Sequence, residues 1–117
     1  MDNLNEKNCS ACRADSPLLG AAELQSALLQ LPDWTVEVVA GVNQLTREYR
    51  FKNFVQALEF TQAVGELAEE YGHHPALLTE WGRVKVSWWT HKIHGLHEND
   101  VIMAAKTEQL FRNRFAI

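Results

Sequence analysis

The apolar positions of this chain change period several times, and each change marks an element. From Gly20, Leu24, Leu28 and Leu31 recur at the spacing of one helix face, and Pro32 ends that run. The period then drops to two. "WTVEVV" sets Trp34, Val36 and Val38 on one side, and after the turn "AGVN" the run "QLTREYRF" sets Leu45, Tyr49 and Phe51 on one side. Two alternating runs around a short Gly/Asn turn predict a β-hairpin. Asn53 is the expected N-cap of the next helix, with Gln56 as its capping-box partner. Phe54, Leu58, Thr61, Leu67, Ala68 and Tyr71 follow at three- and four-residue steps, with Val64 and Gly65 between them, and Gly72 ends the helix. "ALLTE", a turn at Trp81 and Gly82, and "RVKVSWWT" predict a second hairpin. Its last strand shows Val84, Val86, Trp88 and Thr90 on one face and Lys85, Ser87, Trp89 and His91 on the other. From Leu96 onward, Val101, Ala104, Ala105 and Leu110 return to helical spacing. The order α-β-β-α-β-β-α predicts an α+β two-layer sandwich, a four-stranded antiparallel sheet with helices on one face.

Composition narrows the function classes. The 117 residues fit one domain, and the net charge of −4 argues against a broad nucleic-acid or anionic-membrane surface. No apolar run approaches the roughly 20 residues of a membrane span. The opening "MDNLNEKNCSACRADS" lacks the apolar core of a signal peptide, so a cytoplasmic protein is expected. Residues 1–16 read as a mobile N-terminal arm and 17–117 as a single domain. Both cysteines, Cys9 and Cys12, form a CxxC in that arm. No strand precedes it and no second cysteine pair exists, so reduced thiols are expected rather than a redox motif or a zinc site.

All five histidines lie between His73 and His97. His73 and His74 end the long helix, and Pro75 biases His74 toward extended backbone. Counting outward from the Trp81–Gly82 turn, His74 and His91 come near one open edge of the sheet. Asp100 falls in the first turn of the last helix, where a carboxylate is electrostatically favoured. His73, His74, His91 and Asp100 are therefore expected to converge. Adjacent residues of an extended chain point to opposite sides, so His73 and His74 are poorly placed to hold one metal ion, and no metal is expected. Imidazoles on different sides of a flat substrate could instead donate and accept protons near neutral pH.

These residues resemble the pterin-4a-carbinolamine dehydratase family, whose motif is a Glu, three residues, HHP, an aromatic hairpin, Thr-His, Gly-Leu and an Asp. Here these are Glu69, His73, His74, Pro75, Thr90, His91, Gly95, Leu96 and Asp100, with the Trp of "PDWTV" and "FKNF" before the long helix. The resemblance runs from about Leu24 to Leu110. It implies dehydration of 4a-hydroxytetrahydropterin to quinonoid dihydropterin, which recycles the cofactor of aromatic amino acid hydroxylases. His73, His74 and His91 would be catalytic; Glu69, Pro75, Thr90, Asp100 and Trp34 would bind substrate. No cofactor is implied. Implied partners are the pterin, a homodimer or homotetramer, and an aromatic amino acid hydroxylase. The other reading it leaves open is a non-catalytic dimerisation partner acting as a coactivator-like scaffold. Three positions depart from patterns found among members: Gly72 where some carry Asp, Asn99 where some carry Arg, and His97 where many carry Ser or Thr. His97 is expected as a substitute cap or a surface residue. The sheet face bearing Lys85, Ser87 and Trp89 is expected to meet another subunit.

Overall fold

A computed structural model describes residues 4–7 and 17–115. Helix α1 (Ala21–Leu28) leads into strands β1 (Thr35–Val39) and β2 (Val42–Arg50). Helix α2 (Phe54–Tyr71), strands β3 (Ala76–Glu80) and β4 (Arg83–Trp88) and helix α3 (Glu98–Arg114) complete the domain, with 3-10 turns at Leu4–Glu6 and His91–Ile93. The strands pair antiparallel in the order β1-β2-β4-β3. Both hairpins thus contribute their second strand to the middle of the sheet, and the expected α+β architecture is present.

Alternation sets the two sheet faces. Leu45 faces Trp88, and Tyr49 faces Val84, across the β2–β4 pair; all four are buried with Val86 beneath the helices. Tyr49, Phe51, Phe60, Phe111 and Phe115 form one aromatic cluster, with centroid separations of 4.7–6.1 Å. The opposite face is covered largely by its own charges: Lys85 pairs with Glu37 at 2.9 Å, and Arg83 bridges Glu48 at 2.8 Å and Glu80 at 2.6 Å. Ser87 lies beneath them, donating to Thr46 Oγ1 at 3.2 Å.

The long helix turns a different stripe inward from the one its largest residues suggest. Ala57, Phe60, Ala63, Val64 and Ala68 are buried, whereas Phe54 and Leu58 are 42% and 47% exposed. The alanines let the helix approach the sheet closely, and Phe60 fills the gap between them. Asn53 caps the helix as expected, accepting from Gln56 N at 2.9 Å, while Gln56 reaches back to Lys52 N rather than to the cap itself. On the far side, Leu4 is buried, and Lys106 Nζ donates to the carbonyl of Asn5 at 2.8 Å. That part of the expected mobile arm is therefore packed on α3. Cys9 and Cys12 lie outside the described residues.

Candidate active site

The end of α2 is built to hold His73. Gly72 adopts φ 62°, ψ 29°, a left-handed conformation that glycine enters without a side-chain clash. Its N–H bonds to Glu69 O at 3.4 Å and that of His73 to Ala68 O at 3.2 Å, the paired closure of a Schellman motif. The backbone of His73 is thereby fixed before its side chain makes any contact. Nε2 of His73 lies 2.7 Å from Asp100 Oδ1. Asp100 is wholly buried, and its Oδ2 also accepts from Thr90 Oγ1 at 2.8 Å and from His97 N at 2.9 Å. Three hydrogen-bond partners hold this carboxylate in the first turn of α3. A carboxylate only accepts, so Nε2 of His73 carries the proton and Nδ1 is the basic nitrogen of the neutral ring.

The two imidazoles of the pair part, as adjacent residues in an extended chain must. His74 turns to Glu69, with Nε2 hydrogen-bonded to Oε2, and both side chains are mostly exposed. His91 is exposed and packs its ring on Trp89 at 4.5 Å between centroids. Ala76 is paired with Ser87 in the β3–β4 ladder; continuing that register sets His74 opposite Trp89 and His73 opposite Thr90. Trp89 is half-buried. Pro75 is half-buried at the start of β3. The loop carrying His91 is closed by Thr90, whose N–H bonds to Gly95 O at 2.8 Å.

One expected binding residue is elsewhere. Trp34 is 3% exposed and its indole N–H donates to Glu108 Oε1 at 3.0 Å. It is a core residue of a second buried polar cluster, not a wall beside the histidines. Glu108 also accepts from Tyr49 OH at 2.5 Å and from Arg47 Nη1. The pattern signal was there: Arg47 lies between Leu45 and Tyr49 on the core side of β2, and Glu108 lies one turn after Ala104. Burial works against the Glu108 anion, but the hydrogen bonds of Tyr49 and Arg47 and the guanidinium charge outweigh it and hold the carboxyl below its ordinary range. Burial, then the bond to Glu108, pushes the Tyr49 phenol well above its usual range.

His97 is the N-cap of α3. Its Nδ1 accepts from Asn99 N at 3.0 Å, and Asp100 returns the bond to His97 N, completing a capping box. His97→Ala is expected to cost about 0.5–2 kcal/mol, and His97→Ser to recover most of it. Urea unfolding of both variants checks this; equal losses for Ala and Ser would mean the side chain does not cap.

Among the described residues, no group of three or more His, Cys, Asp or Glu could hold a metal ion, and no helix is long and apolar enough to cross a membrane.

The model for the pterin 4 alpha carbinolamine dehydratase family matches residues 17–110. The chain belongs to this family. Proteins provisionally named pterin-4-alpha-carbinolamine dehydratase from Syntrophotalea carbinolica and Marinobacter nauticus are each 56% identical. The first alignment covers 94% of this chain and 98% of that protein, the second 95% and 100%. A crystal structure of a transcriptional coactivator/pterin dehydratase from Brucella melitensis is similar with a TM-score of 0.71 and 33% identity, over 80% of this chain and 98% of that one. A pterin dehydratase-like RuBisCO assembly factor of the alpha-carboxysome shares the fold, with a TM-score of 0.56 and 23% identity over 67% and 88% of the two chains.

Proposed function

We propose that the protein dehydrates 4a-hydroxytetrahydropterin to quinonoid dihydropterin by histidine acid–base catalysis, in the cytoplasm, and so recycles the cofactor of an aromatic amino acid hydroxylase. The observation that carries this is the buried carboxylate of Asp100 aimed at His73 and held by Thr90 and the α3 backbone. Hydroxide leaves poorly, so the carbon–oxygen bond breaks as an imidazolium protonates the departing oxygen, which leaves as water. A ring N–H loses its proton to a neutral imidazole, and its electron pair completes the quinonoid system. One proton is given and one taken, so the protein needs only exchange with solvent to reset. Asp100 stabilises the cation that forms when His73 takes a proton, which suits His73 as the base. His74 and His91, both exposed, suit delivery of the proton to oxygen. Generating the carbinolamine and following its decay with and without protein tests this. Equal decay rates would leave only the binding reading.

That reading, a coactivator-like scaffold, draws support from the words "transcriptional coactivator" in the name of the Brucella structure and from the exposed Phe54, Val55 and Leu58 of α2. The same three residues support a homo-oligomer, a dimer or tetramer. The sheet face of Lys85, Ser87 and Trp89 is a weaker candidate, since ion pairs already cover much of it. Light scattering at micromolar concentration is expected to give a multiple of the 13.3 kDa chain mass. Val55→Glu is expected to lower that multiple, and a monomeric mass for the native chain would overturn the proposal.

A further inference from the structure

The Asp100 bond fixes one atom of His73, not its ring. An imidazole held only at Nε2 can swing about that contact and carry Nδ1 through a wide arc. A second constraint comes from Trp88, the last residue of β4. Its indole lies nearly parallel to the His73 ring, 7° between planes and 5.8 Å between centroids, an offset stack. Trp88 is fully buried and packed opposite Leu45, so it has no freedom of its own. A point fixed by Asp100 and a plane fixed by Trp88 together determine where Nδ1 points.

Trp88 is also an odd choice for packing alone. Its Nε1 is buried and has no hydrogen-bond partner among the described residues. Burying an unmatched donor is unfavourable, and a leucine or phenylalanine would fill a core position without it. The feature that leucine could not supply is a broad aromatic face against His73.

We propose that Trp88 is a positioning residue for His73, orienting its ring so that Nδ1 meets the substrate. The kinetic consequence rests on the dehydratase reading above; the contact itself does not. Trp88→Leu is expected to lower kcat by roughly 10- to 10²-fold, the scale of a misaligned catalytic group, with KM changed by less than about two-fold. Trp88→Phe keeps an aromatic face and is expected to stay within about three-fold of the native kcat. Leu and Phe variants that fold and lose activity equally, or a Leu variant with native kcat, would overturn the proposal.

Fluorescence gives a readout independent of turnover. An imidazole stacked on an indole perturbs its emission, so His73→Asn is expected to change the tryptophan emission measured at one fixed pH. That change is expected to be absent when His73→Asn is made on a Trp88→Phe background, and to persist on a His91→Asn background, where the Trp89 contact has been removed. A change that persists without Trp88, or no change in the native background, overturns the contact even if the Leu variant does not fold. Coupled fluorescence in a protein without dehydratase activity would instead sink the functional reading and leave the positioning of His73 standing.

Discussion

Replacing His73 with Ala is expected to lower the rate of carbinolamine dehydration by about 10²- to 10⁴-fold, the worth of one positioned proton transfer. Among the histidines, His73 is the one whose imidazole is bonded to the wholly buried carboxylate of Asp100. The loss should fall on chemistry, not folding. Asp100 Oδ2 keeps Thr90 Oγ1 and His97 N as donors after the substitution, and only Oδ1 loses its bond. His74→Ala and His91→Ala are expected to cost roughly 10²-fold each, toward the lower end of that range, because solvent can partly replace an exposed proton donor. His94 is the control. It is exposed, lies in a left-handed turn at φ 51° and makes no contact with Asp100 or Glu69, so His94→Asn, which tolerates that backbone, should change the rate by no more than a few-fold. Initial rates across the four variants, each checked by thermal melting, decide the matter. If His94→Asn loses as much as His73→Ala, the histidines act through the fold and the site is misplaced.

Much of this arrangement is legible in the sequence because strand and helix periods encode direction. Alternation in "RVKVSWWT" alone puts Thr90 on the face toward the helices and His91 on the other, and the structure sends Thr90 to Asp100 and His91 to Trp89. The spacing from Gly72 to Pro75 likewise separates His73 from His74. Failures occur where size or distance misleads. Phe54 and Leu58 look like core residues by hydrophobicity, but the close approach of α2 selects Ala57 and Ala63, whose small size leaves a faint signal. Trp34 looked like a ligand wall because aromatic residues suit a pterin; its indole N–H is instead committed to a carboxylate 74 residues away. No local pattern reports a partner at that separation. The His73–Trp88 stack is hidden for the same reason, since it joins a helix end to the end of a strand.

Replacing Glu108 with Ala is expected to destabilise the fold by roughly 3–5 kcal/mol, the cost of leaving a buried charge without its partner. That is a large share of the roughly 5–15 kcal/mol that holds a domain together. The side chain is 9% exposed and receives Trp34 Nε1, Tyr49 OH and Arg47 Nη1. Its removal leaves two buried donors unmatched and the Arg47 guanidinium facing Tyr49 and Phe111 without a nearby anion of comparable burial, since Asp33 is 63% exposed. The pH dependence follows in sign. Burial alone would raise the Glu108 pKa, but the bonds from Tyr49 and Arg47 outweigh it, so the folded protein holds this proton less tightly than the unfolded chain, whose value is near 4.5. The contribution is therefore complete above about pH 4.5 and is lost as pH falls through the folded-state value. Tyr49 acts at the other end: its raised pKa means that stability declines once the unfolded phenol ionises, above about pH 10. Glu108→Gln keeps the shape and one acceptor but has no charge to titrate. It should be less stable than the native protein at pH 7, and the gap should narrow in acid as the native carboxylate protonates. Urea unfolding of both proteins at pH 7 and pH 3 measures the two gaps. A gap that is absent at neutral pH, or that widens in acid, would mean Glu108 is not the anion that Arg47, Tyr49 and Trp34 are arranged around.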